Sequence, residues 1–119
     1  MKDFRNLEVW NKAHQVTLSI YNYTKTFPKE EMFGLTNQMR RASVSVPSNI
    51  AEGCGRGSDA ELARFSQIAM GSASELEYQI LLSKDLEYLS LDTYQNLTDK
   101  IIEVKKMLAS LIKKLNADR

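Results

Sequence analysis

The last thirty residues carry the pattern that most limits the fold. Tyr94, Leu97, Ile101, Val104, Leu108, Leu111 and Leu115 are spaced 3, 4, 3, 4, 3, 4, and every one is apolar. Such a row runs along one line of an α-helix, whereas on a strand it would scatter over both faces. A helix with this seam has to bury it against other helices. Ile102, Ala109 and Ile112 widen the stripe, which predicts two neighbours, and Ser90 or Asp92 can cap the start.

The rest of the chain supplies the partners. It has only five glycines and two prolines in 119 residues, too few for the regular turns of an all-β protein. Its punctuation falls at Phe27-Pro28, at Gly53 to Ser58 and at Tyr88 to Ser90. Four helical segments are predicted between these points, at about residues 6–25, 35–51, 59–87 and 91–115. Short connections make sequential helices antiparallel, so the expected fold is an all-α, up-down-up-down four-helix bundle in one domain spanning 1–119. The start shows no apolar signal core, no run is long enough for a membrane span, and one cysteine fits a reducing compartment. A cytoplasmic protein is expected.

Within the first segment Leu7, Trp10, Ala13, Thr17, Ile20 or Tyr21, and Thr24 form one row, while Val9, Val16 and Tyr23 form a second row that looks surplus to a monomer. The second segment buries Leu35, Met39, Ala42, Val46 and Ile50 and sets Gln38, Arg41, Ser45, Ser48 or Asn49, and Glu52 on a polar side. Pro47 removes the amide that would bond to the Ser43 carbonyl; Ser43 and Ser45 are the expected replacements. Gly53 reads as a left-handed helix cap. Ser58-Asp59-Ala60-Glu61 reads as a reciprocal capping box opening the third segment. Gly71, inside that segment, costs about 1 kcal/mol against alanine, which a close helix–helix approach would offset.

Catalytic constellations are not assembled by this sequence. A di-iron bundle needs two Glu-x-x-His pairs, and the single histidine, His14, has asparagine three residues before it. Cys54 and His14 lie in different segments with no third group to orient them. Glu75 and Glu77 point to different helix faces, so their plainer role is pairing with Arg40 or Arg41. Gly53 to Ser58 reads first as a connector, although Arg56 before a helix start also suits a phosphate contact. No catalytic, cofactor, metal or small-molecule site is expected, and the chain is read as not an enzyme.

Charge is informative only when followed along the chain. The total of +1 divides into +3 for residues 1–58, −4 for 59–87 and +2 for 88–119. The candidate nucleic-acid contacts are therefore Arg40, Arg41 and Arg56, with Lys105, Lys106, Lys113 and Lys114 on the last helix. Opposite signs on different helices also suit self-association.

Several stretches together resemble one family. They are Phe4-Arg5-Asn6-Leu7-Glu8-Val9-Trp10, Phe27-Pro28-Lys29-Glu30-Glu31-Met32-Phe33-Gly34-Leu35, the run from Gln38 through Pro47 to Gly53, and Gly71-Ser72-Ala73-Ser74-Glu75-Leu76-Glu77. The chain is similar in these to the four-helix-bundle proteins encoded in intervening sequences of bacterial 23S rRNA, over nearly its whole length. The resemblance implies a left-handed antiparallel bundle, a homo-pentameric ring and no known enzymatic activity or cofactor. It also implies kinship with the accessory variability determinant of diversity-generating retroelements, which binds a reverse transcriptase and nucleic acid through a basic surface. It singles out Gln38, Arg40, Arg41, Asn49, Glu52, Glu75 and Glu77 as polar groups of the motif. Arg41 and Glu52, three turns apart on one face, are expected to pair with carboxylates of the third segment or to line a subunit interface. The functional expectation is an oligomeric accessory protein associated with RNA or a reverse transcriptase; the alternative is a protein–protein scaffold without a nucleic-acid ligand.

Overall fold

The structure is a computed structural model describing residues 2–117; residues 1, 118 and 119 of the expected domain lie outside the described residues. Four long helices account for most of it: α1 (Glu8–Thr24), α2 (Leu35–Gly55), α3 (Asp59–Asp85) and α4 (Leu91–Ala117). Two short 3₁₀ turns, Phe4–Asn6 and Lys29–Glu31, precede α1 and α2, and no strand occurs among the described residues. The body measures 46 × 23 × 20 Å. Each helix packs on two others, α1 on α2 and α4, and α3 on α2 and α4. In the diagonal pairs, α1 with α3 and α2 with α4, no Cα atoms come within 8 Å of one another among the described residues.

The seam that opened the sequence reading is the α4 share of the core. Leu97, Ile101, Val104, Leu108 and Leu115 are buried, with Tyr94 and Leu111 half-buried at its edges. On α1 the two rows merge. Val9, Ala13, Val16 and Ile20 form its buried line, so Val9 and Val16 belong to the core and leave no surplus row. Leu7, Trp10 and Tyr23 are only partly buried around that line. Within the first of those rows Ala13 and Ile20, not the bulky Leu7 and Trp10, reach the core, because a small residue lets neighbouring helices approach closely.

The two helix starts are capped differently. Ser58 Oγ accepts the Glu61 amide at 3.1 Å, but the Glu61 carboxylate turns to the Arg64 guanidinium at 2.8 Å, so the box is not reciprocal. At α4 it is Ser90 that caps, its Oγ accepting the Thr93 amide at 3.1 Å. Ser58→Ala removes the one side chain holding an otherwise open amide at the α3 start. It is expected to lower stability by about 1 kcal/mol in urea denaturation without altering the folded helix content.

The carbonyl that Pro47 leaves without its amide in α2 is satisfied from outside the helix. α2 runs unbroken through Pro47. The Ser43 carbonyl, left without its usual amide partner, accepts the Thr17 hydroxyl of α1 at 2.7 Å. Neither flanking serine does this: Ser43 Oγ donates to the Arg40 carbonyl, and Ser45 Oγ meets Ser72 Oγ across the α2–α3 seam.

Neither glycine of the motif has its expected role. Gly53 does not end α2; the helix continues to Gly55, and the left-handed residue is Gly57, with φ +85°. Gly53 is buried where α2 crosses the start of α3, and a Cβ there would lie 2.9 Å from Phe65 Cβ and 3.1 Å from Leu62 Cα. Gly71, expected at a close crossing, is exposed, and a Cβ there would meet nothing within 4 Å. Reading Cys54 as a small apolar residue extends the row of Met39, Val46 and Ile50 by another turn, and Cys54 is indeed buried.

Candidate nucleic-acid interface

The cations that the sequence offers come from two helices that stand diagonally across the bundle. Arg40, Arg41 and Arg56 belong to α2 or its end, and Lys105, Lys106, Lys113 and Lys114 to α4. Because no Cα atoms of α2 and α4 come within 8 Å of one another, the two groups do not form one surface.

Within the α2 group the side chains differ in freedom. Arg40 is held against α1: its Nε donates to Thr24 Oγ1 at 3.0 Å and its guanidinium lies 4.9 Å from the Tyr21 ring centre. Arg56 donates to Glu52 at 2.8 Å and lies over the Phe65 ring. Arg41 is exposed and makes no hydrogen bond or ion pair among the described residues. The expected pairing of Arg40 or Arg41 with Glu75 or Glu77 is therefore not made. Glu77 instead accepts Lys105 Nζ at 2.8 Å, and Glu75 accepts Gln79 Nε2 at 3.3 Å. Nor do Arg41 and Glu52 bond to α3; Glu52 is satisfied within its own helix by Arg56, four residues on.

The other polar motif residues hold the α2–α3 seam or face out. Asn49 Nδ2 donates to the Ser45 carbonyl at 2.8 Å and to Ser45 Oγ at 3.0 Å. Gln38 is exposed near the α2 start. On α4, the Glu77 pair commits Lys105 to the α3 side. Lys106, Lys113 and Lys114 are exposed and unpaired among the described residues. Lys106 and Lys113 are seven residues apart, two turns and about 10 Å along one line of the helix, opposite the buried seam. With Arg41 and Lys114 they are the exposed, unpaired cations of the predicted set among the described residues.

The remaining reactive groups are dispersed. Burial pushes the Cys54 thiol up from its ordinary value, which keeps it protonated and a poor nucleophile. His14 stacks on Trp10 at 5.0 Å, in a groove with Phe4, Val44 and Pro47. The Arg64 hydrogen bond holds the Glu61 carboxyl below the usual carboxylate range, and the bond to Glu31 raises the Tyr88 hydroxyl. Among the described residues no three His, Cys, Asp or Glu side chains are grouped to hold a metal, and no helix is long and apolar enough to cross a membrane.

Sequence reasoning missed the exposed apolar groups. Phe33 is 92% exposed beside an exposed Met32, on the connection before α2, and at the same end Leu86 on the α3–α4 connection and Leu91 at the start of α4 are exposed. The Phe27–Tyr88 ring contact at 5.3 Å ties those connections together. The signal was present as adjacent Met32-Phe33 in a charged turn, a place where large apolar residues have no local function.

Comparisons with known proteins agree with this architecture. A crystal structure of a protein of unknown function from the S23 ribosomal protein family of Bacteroides thetaiotaomicron superposes with a TM-score of 0.80. It is 28% identical and covers 88% of this chain and 95% of its own. A search of curated proteins finds no match. The family model described as 23S rRNA-intervening sequence protein matches residues 5–110, which include all of the four sequence stretches except Phe4. The chain belongs to the 23S rRNA-intervening sequence protein family.

Proposed function

We propose that this chain is a non-enzymatic, self-associating helical bundle of the cytoplasm that acts as an accessory to RNA or to an enzyme working on RNA. The proposed topology is antiparallel, up-down-up-down. Pairs along each neighbouring helix couple rising numbers to falling ones: Thr17 with Ser43 and Thr24 with Arg40, then Met39 with Ser83 and Ser45 with Ser72. A ring of five copies is the proposed assembly, in keeping with the family resemblance.

The observation that carries the RNA reading is the open lysine line on α4. Lys106 and Lys113, with Lys114 beside them, have no internal partner and face away from the core. Cations so placed recognise a phosphate backbone without selecting its sequence. Binding of a structured 23S rRNA fragment, titrated by filter retention, is expected to weaken steeply with salt. Changing all three lysines to glutamate should lower affinity at low salt by about 10-fold or more and flatten the salt dependence. Absence of salt-dependent binding at low ionic strength would remove the RNA part of the proposal.

The protein-scaffold reading has its own support in Phe33, whose exposure at the bundle end suits contact with another protein. The two readings separate on whether the lysine variant loses its ligand.

A further inference from the structure

The α1–α2 and α3–α4 connections meet at one end of the bundle, held together by the Phe27–Tyr88 ring contact and the bond from the Tyr88 hydroxyl to Glu31. Four large apolar side chains stand in solvent there. Phe33 and Leu91 are 92% and 69% exposed, and Met32 and Leu86 are exposed as well.

The turn that carries Phe33 is tied down on itself and on its neighbour. The Met32 amide donates to the Lys29 carbonyl at 3.1 Å and the Gly34 amide to the Glu31 carbonyl at 3.0 Å. The Glu31 carboxylate spans the turn, one oxygen accepting the Leu35 amide at 3.2 Å and the other the Tyr88 hydroxyl at 2.9 Å. Gly34 leaves room for it, since a Cβ there would lie 2.9 Å from the first of those oxygens. An aromatic ring on a backbone fixed in this way loses little freedom on contact, which suits it as a binding anchor.

Acids accompany each of these apolar residues. Glu30 and Glu31 precede Met32-Phe33, Glu87 follows Leu86, and Asp92 follows Leu91. Asp85 is cancelled by Lys84. Glu30, Glu87 and Asp92 make no hydrogen bond or ion pair among the described residues, and Glu31 is bonded only by neutral donors. Two lysines of the same end, Lys25 and Lys29, are unpaired too, so four carboxylates against two ammoniums leave this end negative.

Glu87 shows that its charge is not there for the fold. It follows α3 with φ +66°, the one non-glycine residue in the left-handed region among the described residues, where glycine would be free of strain. A carboxylate at a helix C-terminus also opposes the helix dipole. Neither cost is offset within the chain, since Glu87 bonds to nothing there.

We propose that this end of the bundle is the docking surface for a basic, amphipathic segment of another protein. Phe33 and its apolar neighbours anchor that segment, and Glu30, Glu87 and Asp92 receive its lysines or arginines. The proposal rests on the protein-contact reading of Phe33, gives the partner its chemistry, and does not involve the α4 lysines. A phosphate backbone or an anionic membrane would be repelled by the excess negative charge.

The probe is a fluorescent amphipathic peptide of leucine and lysine, about 18 residues and so long enough to form a helix. Its counterpart carries glutamate at every lysine. By anisotropy the lysine peptide is expected to bind and the glutamate peptide not to bind. Phe33→Ser should weaken binding about 10-fold or more. Glu30→Gln with Glu87→Gln should weaken it about 5-fold and flatten its salt dependence. Ile68→Ser, at an exposed apolar position on α3, should leave it unchanged. Glu87→Gly should bind the peptide more weakly and yet melt at a higher temperature than the parent. Binding that Phe33→Ser does not weaken, or that Ile68→Ser weakens equally, would overturn this surface together with the protein-contact reading of Phe33. Equal binding of the two peptides would overturn the basic partner and leave an apolar contact standing. A Phe33→Ser chain of altered oligomeric size by light scattering would assign this end to a second copy. One that loses a 23S rRNA fragment would assign it to RNA, and either result overturns the proposal.

Discussion

Gly53→Leu is expected to lower the stability of the fold by about 3 kcal/mol, because it drives a side chain into the close crossing of α2 on the start of α3. The atoms in its way are Phe65 Cβ at 2.9 Å and Leu62 Cα at 3.1 Å, neither of which can swing aside. For a chain of this size the loss corresponds to a fall in Tm of about 12 °C. Gly53→Ala should shift in the same direction but less, since the gain in helix propensity offsets part of the strain. Gly55→Ala, two residues on in the same helix with nothing within 4 Å, should not destabilise. Urea titrations with unchanged slope would establish the contrast, and a Gly53→Ala chain as stable as the parent would show that α2 and α3 separate more easily than their spacing implies.

Thr17→Val is the second large effect, expected to cost about 2 kcal/mol although it keeps the shape of the side chain. Its hydroxyl has one proton, best placed for the Ser43 carbonyl at 2.7 Å, with the Ala13 carbonyl farther at 3.2 Å. Thr17 and Ser43 are both buried, so water does not readily replace the lost bond. The cause can be isolated with Pro47→Ala, which restores the amide able to serve Ser43 from within α2. In that background Thr17→Val should cost about 1 kcal/mol less, a coupling that a double-mutant cycle measures directly. Equal costs in both backgrounds would mean that the α1 hydroxyl is not the substitute for the missing amide.

The fold was legible wherever the information is local. Seven apolar positions at alternating three and four fix α4 and its buried side, the capping serine at 58 marks the start of α3 to the residue, and the α4 start was legible as Ser90 or Asp92, of which Ser90 caps. What sequence could not supply was adjacency. The α4 lysines and α2 arginines are equally visible as cations, yet only the packing order shows that they lie on opposite corners. Glu77 was visible as an acid, but its partner Lys105 depends on the register of α3 against α4. The glycines were misread for the same reason: residue type announces freedom from a side chain, and only the neighbour shows whether that freedom is spent inside the molecule, as at Gly53, or left facing outward, as at Gly71. The candidate site was thus legible as an inventory and illegible as a surface.

The Tyr88 hydroxyl donates to the Glu31 carboxylate at 2.9 Å, joining residues 57 apart in the chain. A closure of that length carries a substantial entropy cost for one hydrogen bond between side chains that are only partly buried. The long helices between them, α2 and α3, must already be packed before the ends of the joint are near enough to meet. During synthesis the first two helices and their connection emerge well before Tyr88 does. The joint is therefore a latch fastened on a nearly finished bundle, and until it fastens, the Met32–Phe33 turn has only its own local contacts to hold it in place.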